Sequence, residues 1–420
     1  MSHPTQSSSQ ALVNAALEDA RAAMLGVTPV LGSEEVALLD AAGRTLAGAV
    51  RAQRDLPPFR SSAMDGWAVR RADLVLGALQ VAGESAAGKA FRGAVQAGCA
   101  VRVFTGAPVP DGCDLVVIQE EAVHRGDMVT LTPENPNKDN IRPAAGDMAA
   151  GDVLLDAGRR LDPAALSLVA AAGHGRVQVR ARPRVGVLCT GSELVAPGDV
   201  PRDDQIFESN SAALTGLIEA WGGRARRLSP QADDLAAIAA EINGALTDLD
   251  VVVVVGGASV GDHDLAKPAL LSLGLELLVN KVNMRPGKPV WFGRLGRQVV
   301  LGLPGNPASA FVCAHLFLRP MLDTMLGGPV SPASGMMARM VKPLKAEGPR
   351  ESFLRARIGV DGAGCLWANA SADQDSSLVR VLATSNGYVR RFALAPAAET
   401  SARLPCALFE GRSLIMGEPQ

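Results

Sequence analysis

Four glycine-rich runs that carry ionisable side chains follow apolar stretches in the second half of the chain. Thr190-Gly191-Ser192-Glu193 follows 185–189, and Gly256-Gly257-Ala258-Ser259-Val260-Gly261-Asp262-His263-Asp264 follows 251–255. Met284-Arg285-Pro286-Gly287-Lys288-Pro289 follows 277–282, and Gly302-Leu303-Pro304-Gly305-Asn306-Pro307 follows 299–301. Glycine has no Cβ, so backbone amides there can approach a phosphate closely. The last run opens a predicted helix, whose N-terminus favours an anion. Glu193, Asp233 and Asp264 are hard oxygen donors suited to Mg²⁺, which usually also takes water and substrate phosphate. Arg285 and Lys288 suit an oxyanion. Carboxylates beside cations point to phosphate-ester or phosphoanhydride chemistry. Neither a GxxxxGK[ST] loop nor a GxGxxG fingerprint is present, which disfavours ordinary nucleotide-triphosphate hydrolysis and NAD binding.

These loops need a sheet to bring them together. The five valines of 251–255 read as a strand buried on both faces, the mark of a parallel sheet. Strands at 185–189, 224–228, 277–282 and 299–301 alternate with helices at 210–221, 233–246 and 307–326, with Asp233 or Asp234 capping the second helix. That alternation predicts a layered α/β domain, in which ligands sit at the carboxyl ends of the strands. All four loops should then meet on one edge. Upstream, 11–25, 33–46 and 163–172 have helical apolar spacing, and Pro57-Pro58 breaks the chain. Short apolar runs at 67–69, 101–104, 115–118 and 128–131 read as a β-rich insertion into that helical unit. After Gly327-Gly328-Pro329, short alternating strands at 353–358, 388–394 and 407–408 predict a small all-β domain. The division expected is 1–54 with 143–181 (helical linker), 55–142 (β-rich), 182–328 (α/β) and 329–420 (β).

Bulk properties narrow the partners. The 420 residues carry a formal net charge of −2, so nucleic acid finds no basic footprint. No apolar run approaches the roughly 20 residues that span a bilayer. Residues 1–10 are polar and lack the apolar core of a signal peptide. The six cysteines include no CxxC pair and the five histidines are scattered, so reduced thiols in a cytoplasmic protein are expected and a His/Cys zinc site is not.

The β-rich insertion holds a second polar cluster: Arg60-Ser61-Ser62-Ala63-Met64-Asp65-Gly66, Thr105-Gly106-Ala107-Pro108-Val109-Pro110, and a loop flanked by Arg142 and Asp147. Read alone, these are ordinary Asp-Gly and Pro-constrained turns. Together with Pro57-Pro58-Phe59, Thr190-Gly191-Ser192-Glu193-Leu194, Gly256-Gly257-Ala258-Ser259-Val260-Gly261, Arg285-Pro286-Gly287-Lys288-Pro289 and Leu303-Pro304-Gly305-Asn306-Pro307, they closely resemble the molybdopterin molybdenumtransferase (MoeA) family. The C-terminal region of gephyrin is similar. The motifs stand in the family's order from about residue 10 to 415.

The resemblance implies a split helical linker domain around a β-rich insertion, a three-layer α/β molybdopterin-binding domain and a C-terminal β-barrel-like domain. It implies a homodimer whose active site is shared between subunits. The implied reaction inserts molybdate into adenylylated molybdopterin, releases AMP and uses Mg²⁺. Asp65, Thr105, Asp147, Glu193, Asp264 and Lys288 match the catalytic positions. Glu193, Asp233 and Asp264 match the metal positions. Thr190, Gly191, Ser192, Gly256, Gly257, Ser259, Gly261, Arg285, Pro304, Gly305, Asn306, Arg355 and Ser376 match the substrate-binding ones, with Arg285, Lys288, Arg355 and Ser376 handling molybdate. The adenylyltransferase of the pathway is implied as a partner. The chain departs from the family pattern at Arg285, where Lys is common, and at Asp375, which replaces the glycine of a usual Gln-Gly-Ser. Two other readings share parts of the pattern. Molybdopterin adenylyltransferase has the α/β domain but not the Asp65 loop or the C-terminal domain. A receptor-anchoring scaffold, like the gephyrin region, would call for a long linker or amphipathic docking helix that this sequence does not offer.

Overall fold

A run of β-branched residues with no polar position has nowhere to face but two cores. The computed structural model, which describes residues 11–229, 234–256 and 265–418, places Val251–Val255 in that setting. Val251, Val253 and Val255 enter one core and Val252 and Val254 the other. The seven strands of this sheet are β1 (Leu12–Ala15), β2 (Arg184–Cys189), β3 (Arg224–Arg227), β4 (Val251–Val255), β5 (Glu276–Val282), β6 (Trp291–Leu295) and β7 (Gln298–Leu303). Their order across the sheet is β1-β5-β6-β7-β4-β2-β3. Neighbours are parallel except at β6, which runs antiparallel to both β5 and β7. Two antiparallel steps restore the direction, so β2, β4, β5 and β7 all end on the same edge.

Helices cover both faces, giving three layers. The first core takes α1 (Leu17–Val27), α2 (Asn210–Ala220) and the segment from α5 (Pro307–Cys313) to α6 (Arg319–Met325). The second takes α3 (Leu235–Ala245) and α4 (Ala266–Ser272). The Asp234 carboxylate caps α3 by accepting from Ala237 N–H at 2.7 Å; Asp233, the other expected cap, lies outside the described residues.

Three expectations are corrected. Residues 11–25 are not one helix: Leu12–Ala15 pairs in parallel with Leu12 opposite Val279, and the helix starts only at Leu17. Ser33–Ala37 is a strand paired with Arg176–Arg180, followed by a single 3₁₀ turn over Leu38–Asp40. In both places ladder pairing overrode local propensity. The 307–326 segment is helical but widens into a π turn over Ala314–Leu318. Pro320 has no N–H to give Leu316 O, and the buried Arg21 guanidinium donates to that carbonyl instead.

By contact density the chain forms two compact units. One runs up to Glu34 and resumes at Arg180; the other is Glu35–Val179. The second unit holds a six-stranded sheet in the order Leu115–Ile118, Gly66–Val69, Cys99–Val103, Ala78–Ser85, Met128–Leu131, Ala122–Arg125. Its two faces bury separate cores around Trp67 and Val101. The helix Pro163–Ala171, capped by Asp162, closes a further core with Leu46, Leu161 and Val179.

In the first unit, Glu351–Val360, Leu366–Ala370, Met336–Met340, Arg403–Leu408 and Gly387–Arg391 pair in that order, and the last returns to the first. The result is a closed five-stranded barrel. Among the described residues no helix is long and apolar enough to cross a membrane.

Candidate functional site

The edge where β2, β4 and β7 end is drawn together by backbone contacts. Thr190 N–H donates to Val255 O at 3.0 Å, and Gly256 N–H donates to Leu303 O at 3.2 Å. Gly256 has φ +98°, and a Cβ there would lie 2.4 Å from Thr190 O. Only glycine fits that left-handed, close-approach position. A Cβ on Gly305 would come 3.5 Å from Gly256 Cα. Three of the four predicted loops thus converge within van der Waals distance. Pro304 is buried beneath them, while Gly305 and Asn306 are exposed at the start of α5. The Thr190 hydroxyl is buried and has no hydrogen-bond partner among the described residues. Glu193 folds its carboxylate back over Gly191, and both it and Ser192 reach solvent.

The fourth loop closes onto the same helix. Val282 N–H donates to Lys288 O at 3.0 Å, cinching residues 283–287 into an excursion. Gly287 rests against Cys313 of α5, where a Cβ would meet Sγ at 2.4 Å. Met284–Arg285 then pairs in parallel with the barrel strand, Arg285 opposite Ser352. The barrel carries Arg355 three positions along and returns Ser376 to the edge: Ala308 N–H donates to Ser376 O at 3.0 Å, and Asn306 Nδ2 donates to Ser376 Oγ at 2.8 Å. Arg285 and Lys288 are exposed. Arg355 is only 1% exposed. Its Nε donates to Gln374 Oε1 at 3.3 Å and one terminal nitrogen to Leu378 O at 3.4 Å, so it shapes the loop that carries Ser376. Burial lowers its pKa, opposed by Asp373 and Asp375. Asp375 turns toward Ser377, accepting from its N–H at 2.8 Å and its hydroxyl at 2.7 Å, which lowers the carboxyl pKa.

Gly257, Ser259, Gly261, Asp264 and Asp233 lie outside the described residues. Of the expected metal-binding carboxylates, Glu193 is the one the structure describes. Its exposed oxygens at the strand edge suit a hard cation. No group of three His, Cys, Asp or Glu is gathered for a metal among the described residues.

The Glu35–Val179 unit carries the other cluster. Asp65 Oδ1 accepts from Thr105 N–H at 2.7 Å and from Thr105 Oγ at 2.8 Å. Those two bonds hold its carboxyl below the ordinary value. The pairing joins two motifs 40 residues apart. Asp147 is exposed in the return loop, anchored through its N–H to Leu56 O at 2.9 Å, and no hydrogen bond ties it to Asp65 or Thr105.

Two residues of the first unit escaped the sequence reading. Glu208 is 3% exposed and accepts from Ser211 N–H at 2.8 Å, from Ser211 Oγ and from Cys189 Sγ at 3.2 Å. Burial acts to raise its pKa, but the hydrogen bonds outweigh it and the net shift is downward. It ties the end of β2 to the start of α2 and so fixes the Thr190 loop. Asn210 Nδ2 donates to Gly305 O at 2.7 Å and braces the last loop. An acidic residue ahead of a Ser-Asn-Ser helix start was the available signal.

Comparison with known proteins agrees along most of the chain. Models described as the MoeA N-terminal region (domain I and II), a probable molybdopterin binding domain and the MoeA C-terminal region (domain IV) match residues 15–173, 186–324 and 337–392. The molybdopterin molybdenumtransferase of Haemophilus influenzae is 33% identical over 89% of this chain and 93% of its own length. Molybdopterin molybdenumtransferase 2 of Mycobacterium tuberculosis is 34% identical over 84% of this chain and 89% of its own length. A crystal structure of the molybdopterin biosynthesis MoeA protein of Pyrococcus horikoshii superposes with a TM-score of 0.82 at 28% identity, covering 94% of this chain and 99% of that one. The chain belongs to the molybdopterin molybdenumtransferase (MoeA) family.

Proposed function

We propose that the chain is a cytoplasmic molybdopterin molybdenumtransferase that takes adenylylated molybdopterin and molybdate as substrates and yields molybdenum cofactor and AMP. The convergence of the Thr190, Gly256 and Gly305 loops, with Asn306 bonded to Ser376, carries this reading. Exposed backbone at that edge suits the phosphates of the substrate. Arg285 and Lys288 are exposed and would offset the charge of molybdate, a tetrahedral dianion. Arg285 brings a two-donor fork where family members commonly have a point-charge lysine. Arg355, through Gln374 and Leu378, holds Ser376 at the oxyanion position. Glu193, with Asp233 and Asp264, would hold Mg²⁺, which neutralises charge on the phosphoanhydride. Water attacks the phosphoanhydride, so that AMP leaves and the phosphate stays on molybdopterin. The two dithiolene sulfurs form Mo–S bonds as two molybdate oxygens, taking up the thiol protons and two from solvent, depart as water. The rate advantage comes from positioning and electrostatics.

The same reading divides the chain at 1–54 with 143–181, 55–142, 182–328 and 329–420. It makes the enzyme a homodimer in which Asp65, Thr105 and Asp147 of one subunit face the strand edge of the other. The adenylyltransferase of the pathway would deliver the substrate. Asp264→Ala is expected to bind molybdopterin-AMP nearly as tightly as wild type but to release AMP about 100-fold more slowly or worse. AMP release at the wild-type rate would remove the metal role. Pyrophosphate production from MgATP and molybdopterin would identify an adenylyltransferase instead.

A further inference from the structure

The face of the β-rich sheet that carries Asp65 continues into a cleft that the proposed chemistry does not use. Gly66 lies opposite Val103 and Trp67 opposite Arg102 in the antiparallel pair, while Glu84 lies opposite Arg102 in the parallel one. Alternation along the strands therefore puts Asp65, Trp67, Arg102, Phe104 and Glu84 on one face. They open onto a cleft of about 600 Å³, lined also by Gln119 and His124. The volume is within the range of small-molecule sites.

The lining has a distinctive composition. The Arg102 guanidinium lies 5.4 Å from the Trp67 ring centre and 5.2 Å from that of Phe104. It is steadied by its bond to Gln119 Oε1 at 2.7 Å. The His124 ring stands 5.0 Å from Trp67, tilted by 53°. A delocalised plane fixed between aromatic rings is a stacking surface for a flat heterocycle. Glu84 is exposed at the rim, and among the described residues its carboxylate has no hydrogen bond or ion pair. A carboxylate only accepts, and it pairs best with two donors side by side. A 2-amino-4-oxopyrimidine edge presents that pair, ring N–H beside NH₂. Adenine presents an acceptor beside its amino group.

We infer that this cleft receives the pterin ring of the substrate, stacked against Arg102 and Phe104, with Glu84 accepting from its amino-pyrimidine edge. The inference rests on the proposed function and deepens it. The Asp65–Thr105 pair, next along the same face, would then stand near the chain that joins the pterin to its phosphate.

Hydroxymethylpterin, which lacks both dithiolene and phosphate, is the probe. Titrated into the full chain, it should quench tryptophan fluorescence. Glu84→Gln, on an exposed side chain, should leave the fold intact and weaken that binding about tenfold or more, equivalent to about 1.4 kcal/mol. Phe104→Leu should weaken it independently. AMP should neither displace the pterin nor change its affinity for Glu84→Gln. Equal pterin binding by wild type and Glu84→Gln, no binding by wild type, or competition by AMP would each overturn the assignment. Wild type that binds pterin through Glu84 yet never releases AMP with molybdate would sink the transferase reading and leave the cleft assignment standing.

Discussion

Asp65 shows how a single acceptor can be prepared by its neighbours. Two Thr105 donors converge on one oxygen and favour the ionised form, so the carboxyl titrates below its ordinary value of 3.8. For a depressed carboxyl, the interaction is complete above the unfolded value and disappears as pH falls through the folded one. Thr105→Val keeps the backbone N–H but removes the hydroxyl. The Asp65 midpoint in a carboxyl NMR titration should therefore move up toward 3.8. An unchanged midpoint would show that the hydroxyl contributes nothing to holding the charge. The motif identities of Asp65 and Thr105 were legible in the sequence, but as turns 40 residues apart they gave no sign of a bond between them. Strand pairing of Gly66 with Val103 creates that neighbourhood.

At the level of elements, the seam between the helices and the barrel depends on a buried histidine. His315 sits in the π turn, 6% exposed, against the rings of Trp221, Phe311 and Phe409. Its Nε2 accepts from Glu410 N–H at 3.1 Å, so the proton is on Nδ1, which donates to Phe311 O at 2.9 Å. The ring must be neutral to do both. Burial pushes its pKa down to about 4 from 6.5. The unfolded chain takes up that proton below 6.5, so stability should be full above this value and fall as pH drops toward 4. The fall attributable to His315 is about 3 kcal/mol, from about 1.36 kcal/mol per pH unit. Urea unfolding at pH 7 and pH 4.5 should show it, and His315→Asn should flatten it. Equal slopes in both proteins would contradict the buried neutral ring. Sequence reading found the helix but not the widened turn: Pro320 leaves the Leu316 carbonyl without its helical partner, and the arginine that serves it instead lies 295 residues away.

At the scale of the whole molecule, the proposed dimer makes a numerical prediction. If each active site takes Asp65 from one subunit and Lys288 from the other, Asp65→Ala and Lys288→Ala are each inactive as homodimers. Equal mixing and reassociation forms heterodimers with one intact site, and roughly a quarter of wild-type activity should return by random pairing in a closed two-fold assembly. No recovery, with exchange verified, would show that both residues act within one subunit. The sequence by itself determined the family, the strands that alternate with helices and the loops that bear glycine, because buried strands and tight anion-binding turns leave local patterns of residue type. Tertiary structure alone decided that β6 runs against its neighbours, that residues 12–15 extend the sheet, that Arg355 turns inward to shape the Ser376 loop, and that Trp67, Glu84 and Arg102 share a cleft. Each of these depends on which distant segment lies alongside, and pairing between distant segments leaves no mark in the residues nearby.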